Sequence, residues 1–240
     1  MSTPFFLNRL ASEPHALAFA GQSTPWPVAL ADETANPVLD EQLHAHVRQA
    51  QNLLYPVSAD LLATTGRPVD LFGFTPNPAK LGTAANASAS VPGIALAQLG
   101  ALIDAGELGY NPAEAKPVAV LGHSQGILAV HMVQAIREAG SVEAAAPSID
   151  EILAIASLIG IAGTRQARQL GLAARHGDAT PMLSVKDITR AQVDALIERV
   201  DGARGPIAVA VTNSATHYVL SGYPEDLAAF GVEVAKEHKH

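Results

Sequence analysis

The chain has 240 residues, 48% of them hydrophobic and only 5% aromatic, with no cysteine and a formal net charge of −8. That length and apolar content can bury one sizeable core with a smaller satellite, and the absence of cysteine excludes disulfides, thiolate zinc sites and a Cys nucleophile. No basic face is in view to hold nucleic acid. The opening stretch Met1–Leu10 lacks a signal-peptide core, and no run approaches the roughly 18–20 consecutive apolar residues of a membrane span, so the expectation is a soluble, cytoplasmic protein with no nucleic-acid or membrane partner.

Ala16–Ala20 is a short apolar run that stops at Gly21-Gln22-Ser23 and reads as a buried strand entering a loop. Pro25, Trp26 and Pro27 are expected to keep the following stretch irregular. From Glu41 to Leu54, Leu43, Val47 and Leu54 share one helical face. Residues 56–90 are rich in Pro, Gly, Thr, Asn and Ser and show no regular element. Helical spacing resumes from Ser90 to Leu108 through Leu96, Leu99 and Ile103.

Pro117–Leu121 is too short for a helix and reads as a strand buried on both faces. Gly122-His123-Ser124-Gln125-Gly126 follows directly, and Ile127–Ala139 then places Leu128, Met132 and Ala135 on one helical side. Ser148 with Glu151 has capping-box spacing and is expected to open the next helix, along Ile152, Ile155 and Ile159. After Pro181 the pattern changes. Met182–Val185 reads as a strand; Thr189 and Gln192 cap a helix through Val193, Leu196, Ile197 and Val200; Ile207–Val211 and Tyr218–Ser221 are two strands joined by residues 213–216; and Pro224 opens a last helix. This β-α-β-β-α order is that of a ferredoxin-like subdomain without its last strand. The expected organisation is an α/β chain: an α/β-hydrolase-like core with a parallel sheet over residues 1–180, and an incomplete ferredoxin-like subdomain over residues 181–240.

A strand, Gly-x-Ser-x-Gly and a helix in succession describe a nucleophile elbow, in which Ser124 sits on a sharp turn with its hydroxyl projecting from the sheet edge. Gly122 and Gly126 allow strand and helix to pass closely. The amide of Gln125, at a helix N-terminus, then points toward a developing oxyanion. The pentapeptide matches by chance often enough that the flanking strand and helix carry the argument; a strand–loop–helix turn that uses its glycines only for packing is the alternative. A serine nucleophile needs a base, and the histidines supply no obvious one. His123 adjoins the nucleophile on a turn where neighbouring side chains diverge, and His131 lies within the next helix. His44 and His46 share a helix without a metal-ligand partner nearby, His176 is in a loop, His217 starts a strand, and His238 and His240 fall in a polar tail.

These pieces resemble the malonyl/acetyl-transferase family, and more narrowly the acetyltransferase domain at the N-terminus of bacterial and fungal type I fatty acid synthases. The resemblance rests on Phe19-Ala20-Gly21-Gln22, Gly122–Gly126, Pro181-Met182-Leu183-Ser184-Val185, Val211-Thr212-Asn213-Ser214 and Tyr218-Val219-Leu220-Ser221-Gly222, in the family's order along nearly the whole chain. Gln125 after the serine is a feature of the acetyl-loading branch.

The resemblance implies a ping-pong transfer. Ser124 takes an acetyl group from acetyl-CoA, which is substrate rather than cofactor, and passes it to the phosphopantetheine thiol of an acyl carrier protein. On this resemblance the domain itself is expected to bind no cofactor and no metal. It implies further that Gln22, in a Gly-Gln-Gly loop whose third glycine is here Ser23, joins Gln125 at the oxyanion site, and that Asn213 lies near the cleft. Malonyl-transferring members carry an arginine where this chain has Ala162, so an uncharged acyl group is expected, because a buried carboxylate without its bidentate partner is costly. Arg165 and Arg168 are read as solvated. The family's histidine base follows the small subdomain and is expected beyond residue 240, with further domains of a large synthase, a homo-oligomer, around it. The competing readings are a serine hydrolase that shares the elbow and a non-catalytic structural piece of the assembly.

Overall fold

The computed structural model describes residues 9–10, 12–21, 26–65, 87–169, 181–200 and 204–237. It is a helix-rich α/β chain that divides into two compact units, one within the first 166 residues and one built from residue 167 onward.

The first unit contains strand β1 (Ala16–Phe19), helices α1 (Trp26–Thr34), α2 (Pro37–Thr65), α3 (Ala87–Glu107) and α4 (Pro112–Ala115), strand β2 (Ala119–Gly122), a 3-10 turn at Ser124–Gly126, helix α5 (Ile127–Ala139), and helix α6, which starts at Val142 and runs to Gln169. β1 and β2 pair in parallel, with Ala16 opposite Ala119 and Phe19 opposite Gly122. Leu17, Phe19 and Val120 pack on the core formed by α1, α2, α3, α5 and α6. The centre of that core is α3, on which Ile94, Leu96 and Leu99 are almost wholly buried. α1 fits against α3 through two matched positions seven residues apart. The Trp26 ring sits where a methyl on Gly93 would come within 2.6 Å, and the Glu33 carboxyl sits where a methyl on Gly100 would come within 2.0 Å. The two helices therefore run in the same direction at close approach.

Several expectations change. Trp26 and Pro27 open a helix instead of keeping the chain irregular, because proline is tolerated in the first helical turn, where no intrahelical acceptor awaits its missing N–H. The helix expected over 41–54 is longer, and it begins at Pro37 with Asn36 accepting from the Val38 amide at 3.1 Å. Residues 56–65 continue that helix and 87–90 begin the next, whereas 66–86 lie outside the described residues. α6 opens at Val142, not after Ser148: Ser141 is the cap, its Oγ accepting from Ala144 N at 3.2 Å. Ser148 lies inside the helix and Pro147 is accommodated there. The strand before the serine is not buried on both faces, since Leu121 is 59% and Val118 72% exposed. α3 and α6 are long and apolar enough to cross a membrane by length and composition, although polar residues interrupt both. In α3, 78% of the Ala89–Glu107 stretch is buried inside the protein, as befits a core helix; in α6 the share is 44%.

The second unit holds β3 (Met182–Lys186), α7 (Arg190–Val200), β4 (Ala208–Ser214), β5 (His217–Ser221) and α8 (Pro224–Glu237). The antiparallel strands lie in the order β3-β5-β4, and β4 is bulged against β5 near Val211 and Ser214. Val193, Leu196, Leu220, Leu227 and Phe230 form its core. The capping box at its first helix forms as the spacing predicts, with Gln192 Oε1 accepting from Thr189 N at 2.9 Å and Thr189 Oγ1 accepting from Gln192 N at 3.4 Å.

Candidate active site

β2 ends at Gly122, and the backbone turns through Ser124 at φ 55° before α5 begins. A left-handed conformation costs an L-residue with a β-carbon about 1–2 kcal/mol, so this turn is held by its surroundings. Those surroundings are backbone. A methyl on Gly122 would lie 2.5 Å from the Gly126 carbonyl, and one on Gly126 would lie 2.2 Å from Phe19 O. Neither neighbour can give way without moving β1 or α5. The glycines therefore let the strand, the turn and the helix stack within van der Waals distance, and the Ser124 kink is what that stacking imposes.

The Ser124 side chain is exposed, as is His123. Behind the turn, α5 is anchored by Leu128, Met132, Val133 and Ile136, all buried, each worth roughly 1.5–3 kcal/mol on burial. No side chain caps the 3-10 turn at His123 or α5 at Gly126. The start of a helix carries amides without intrahelical acceptors and the positive end of the helix dipole. Here that end lies beside an exposed serine hydroxyl. Such a junction can bind a developing oxyanion at the amide next to the serine.

The exit of β1 completes the arrangement. His123 N donates to Phe19 O at 3.0 Å, which continues the strand pairing one step past Gly122. The next carbonyl, of Ala20, accepts from Gln98 Nε2 on α3 at 2.6 Å. Gly21 then lies against the elbow itself: a methyl there would be 2.8 Å from Ser124 Cβ and 3.2 Å from Gln125 N. Gln125 is half-buried, and its side-chain Oε1 is sealed from solvent without a hydrogen-bond partner.

The other residues singled out by sequence are distributed along both units and the undescribed segments. Gln22, with Ser23, lies outside the described residues, as do His176, His238 and His240. Ala162 is exposed on α6, with Arg165 exposed beyond it. Asn213 belongs to the second unit, on β4, where its Nδ2 lies 3.4 Å from His217 Nε2. The histidines whose partners are defined make them elsewhere: His15 with Tyr110, His44 with Asp40, His46 with Asp150 at 2.6 Å, and His217 with Ser184. His131 is exposed on α5. Among the described residues no group of three His, Cys, Asp or Glu side chains is placed to hold a metal ion.

Sequence reasoning missed two features. Gln98 lies in an apolar stretch of α3, and its link to Ala20, 78 positions away, has no local signature. The partly buried His46–Asp150 pair joins positions 104 apart; the two residues line an open cleft of about 300 Å³ with Gln42, Gln49 and Glu143.

Residues 75–240, well over half of the chain, match the family described as SAT, starter unit:ACP transacylase in aflatoxin biosynthesis. A curated relative, the fatty acid synthase beta subunit hexB of Dothistroma septosporum (strain NZE10 / CBS 128990), is 31% identical over 128 residues, 48% of this chain and 7% of that protein. Among solved structures, the chain is similar to PlMCAT, a malonyl-transacylase in complex with its type II PKS acyl-carrier protein, with a TM-score of 0.52, 19% identity, and 91% of this chain and 58% of that one covered. It is similar also to the malonyl CoA-acyl carrier protein transacylase of Coxiella burnetii, with a TM-score of 0.52, 18% identity, and 94% and 58% covered. At these identities the solved structures speak for the fold, and the chain spans less than two thirds of their length. The family match reaches from before α3 through the elbow to the second unit, and the chain belongs to the starter unit:ACP transacylase family of acyltransferases.

Proposed function

We propose that this chain loads an acetyl starter group onto the phosphopantetheine thiol of an acyl carrier protein through an acyl-enzyme on Ser124. One observation carries the reading: the exposed Ser124 hydroxyl sits at φ 55° on a glycine-packed strand-to-helix junction whose helix start has no side-chain cap. In the first half-reaction Ser124 Oγ bonds to the thioester carbonyl carbon of acetyl-CoA as its proton passes to a general base. The carbonyl oxygen, now an oxyanion, is held by the Gln125 amide, with Gln22 as its partner donor. The C–S bond then breaks and the protonated CoA thiol leaves. In the second half-reaction the carrier thiol gives its proton to the base and bonds to the acyl carbon, the serine ester C–O bond breaks, and Ser124 Oγ takes the proton back.

Ala162 favours an uncharged acyl group, since a malonyl carboxylate would find no guanidinium at that position. We read the second unit as ferredoxin-like on the strength of its β-α-β-β-α order and its β3-β5-β4 sheet. The setting we propose is a large cytoplasmic fatty acid synthase, a homo-oligomer whose other domains use the acyl-carrier product. The resemblance to a synthase beta subunit supports that setting.

The test is radiolabelled acetyl-CoA offered to the intact protein. Label held by the protein, passed to a carrier thiol and lost in Ser124→Ala is the expected result. Rapid release of free acetate, with little transfer to the carrier, would favour a serine hydrolase. Unchanged transfer in Ser124→Ala would leave the chain a structural piece.

A further inference from the structure

We infer that Gln98 is a positioning residue for the acyl-transfer step: its side-chain amide fixes the Ala20–Gly21 peptide, and through it the backbone that packs against Ser124 and the Gln125 amide. The inference rests on the reading of Ser124 as nucleophile, and it adds a residue that touches neither substrate nor reacting atom.

Gln98 stands in the middle of α3, between residues as buried as Leu96 and Leu99, and is itself only 7% exposed. An amide in such a place is unfavourable unless its hydrogen-bonding groups are used. Here only half of them are. Nε2 donates to Ala20 O at 2.6 Å, while Oε1 is sealed from solvent with no partner. A leucine or methionine would fill the same space without an orphaned carbonyl. What the glutamine provides that they cannot is one fixed backbone carbonyl.

The identity of that carbonyl gives the bond its consequence. Pairing between β1 and β2 ends at Phe19 and Gly122, and the Phe19 carbonyl is then held by His123 N. Ala20 is the first residue past this ladder. Its carbonyl also lies close to the elbow, 3.0 Å from where a methyl on Gly126 would stand. A trans peptide is planar, so its C=O and N–H point in opposite directions. Drawing Ala20 O toward α3 therefore aims Gly21 N–H away from α3 and sets the path of the Gly21 backbone. That backbone is in contact with the reacting centre, since a methyl on Gly21 would reach Ser124 Cβ at 2.8 Å and Gln125 N at 3.2 Å. If the peptide turned, it would shift against the nucleophile and the oxyanion amide together, and misplacement on the scale of 1 Å at such a site costs about 100-fold in rate.

The test compares single-turnover acylation by acetyl-CoA in the intact wild-type protein, Gln98→Met and Gln98→Glu, with thermal unfolding alongside. Gln98→Met keeps the volume and removes the donor. Its acylation rate constant should fall about 10- to 100-fold, with the apparent affinity for acetyl-CoA and the unfolding midpoint little changed. Gln98→Glu separates positioning from packing. An ionised carboxylate cannot donate to Ala20 O, whereas a protonated one can, so its acylation rate relative to wild type should climb as pH is lowered. Wild-type acylation in Gln98→Met, or a Gln98→Glu to wild-type ratio that does not vary with pH, overturns the proposal; the second readout stands even where the methionine variant fails to fold. Labelling that persists in Ser124→Ala would instead overturn the nucleophile assignment.

Discussion

Among the described residues, two strand-to-helix junctions are built on one backbone irregularity and finished in opposite ways. At β2–α5 the left-handed residue is Ser124, at φ 55°; at β3–α7 it is Asp187, at φ 58°. The second junction is locally self-sufficient. Aspartate tolerates the left-handed region better than most residues, Ile188 is buried beside it, and Thr189 and Gln192 cap the helix reciprocally. The first has no side-chain cap and a residue poorly suited to its conformation. It is held by glycines against β1 and by a hydrogen bond from a distant helix. Among the described residues, the buried polar atoms without partners follow the same division: Ser90 Oγ, Gln98 Oε1, Gln125 Oε1 and Glu33 Oε2 are in the first unit. Departures from local consistency of this kind gather where a protein does chemistry.

Replacing each left-handed residue by glycine tests the contrast most strongly. Both Ser124→Gly and Asp187→Gly remove a β-carbon from a left-handed position, but Ser124→Gly should abolish acyl transfer, by about a thousandfold or more, while Asp187→Gly leaves it within about twofold of wild type. In urea unfolding, Ser124→Gly should also exceed Ser124→Ala in stability by about 1 kcal/mol. A Ser124→Ala variant as stable as Ser124→Gly would mean that the kink stores no strain.

Glu33 gives the next effect. Burial, reinforced by Asp104 and Asp32, pushes its carboxyl from 4.5 up to about 8. Between those values the folded protein holds a proton that the unfolded chain has released, so this group makes stability fall as pH rises through that window and has no further effect above it. Glu33→Gln should flatten the decline, measured as unfolding midpoint against pH, and should raise stability above pH 8. An identical pH profile in the variant would contradict the assignment. The smallest effect belongs to the capped junction: Thr189→Ala should cost about 1 kcal/mol in denaturant unfolding and leave acylation unchanged.

What could be read in the sequence follows from how local each determinant is. Gly122-His123-Ser124-Gln125-Gly126, the Thr189–Gln192 cap and the alternation in Tyr218–Ser221 are encoded within a few residues, and each forms where its spacing puts it. The start of α6 is ambiguous in sequence. Ser148 has the capping-box partner, but Ser141 stands directly after Gly140, the left-handed residue that ends α5, and it is Ser141 that caps. Trp26-Pro27 reads as irregular in isolation, yet the groove at Gly93 gives the tryptophan ring a seat and the helix a reason to begin. Gln98 was illegible because its meaning lies in a carbonyl far away along the chain. The elbow is thus visible in sequence while the bond that steadies it is not.

The central claim is that Ser124 carries the acyl group, and peptide mass spectrometry of the intact protein after brief incubation with acetyl-CoA, quenched in acid, addresses it directly. The account predicts one added acetyl group on the peptide containing Ser124, removed when a carrier thiol is supplied before the quench. An acetyl group on any other residue, with the Ser124 peptide unmodified and transfer proceeding, would contradict it.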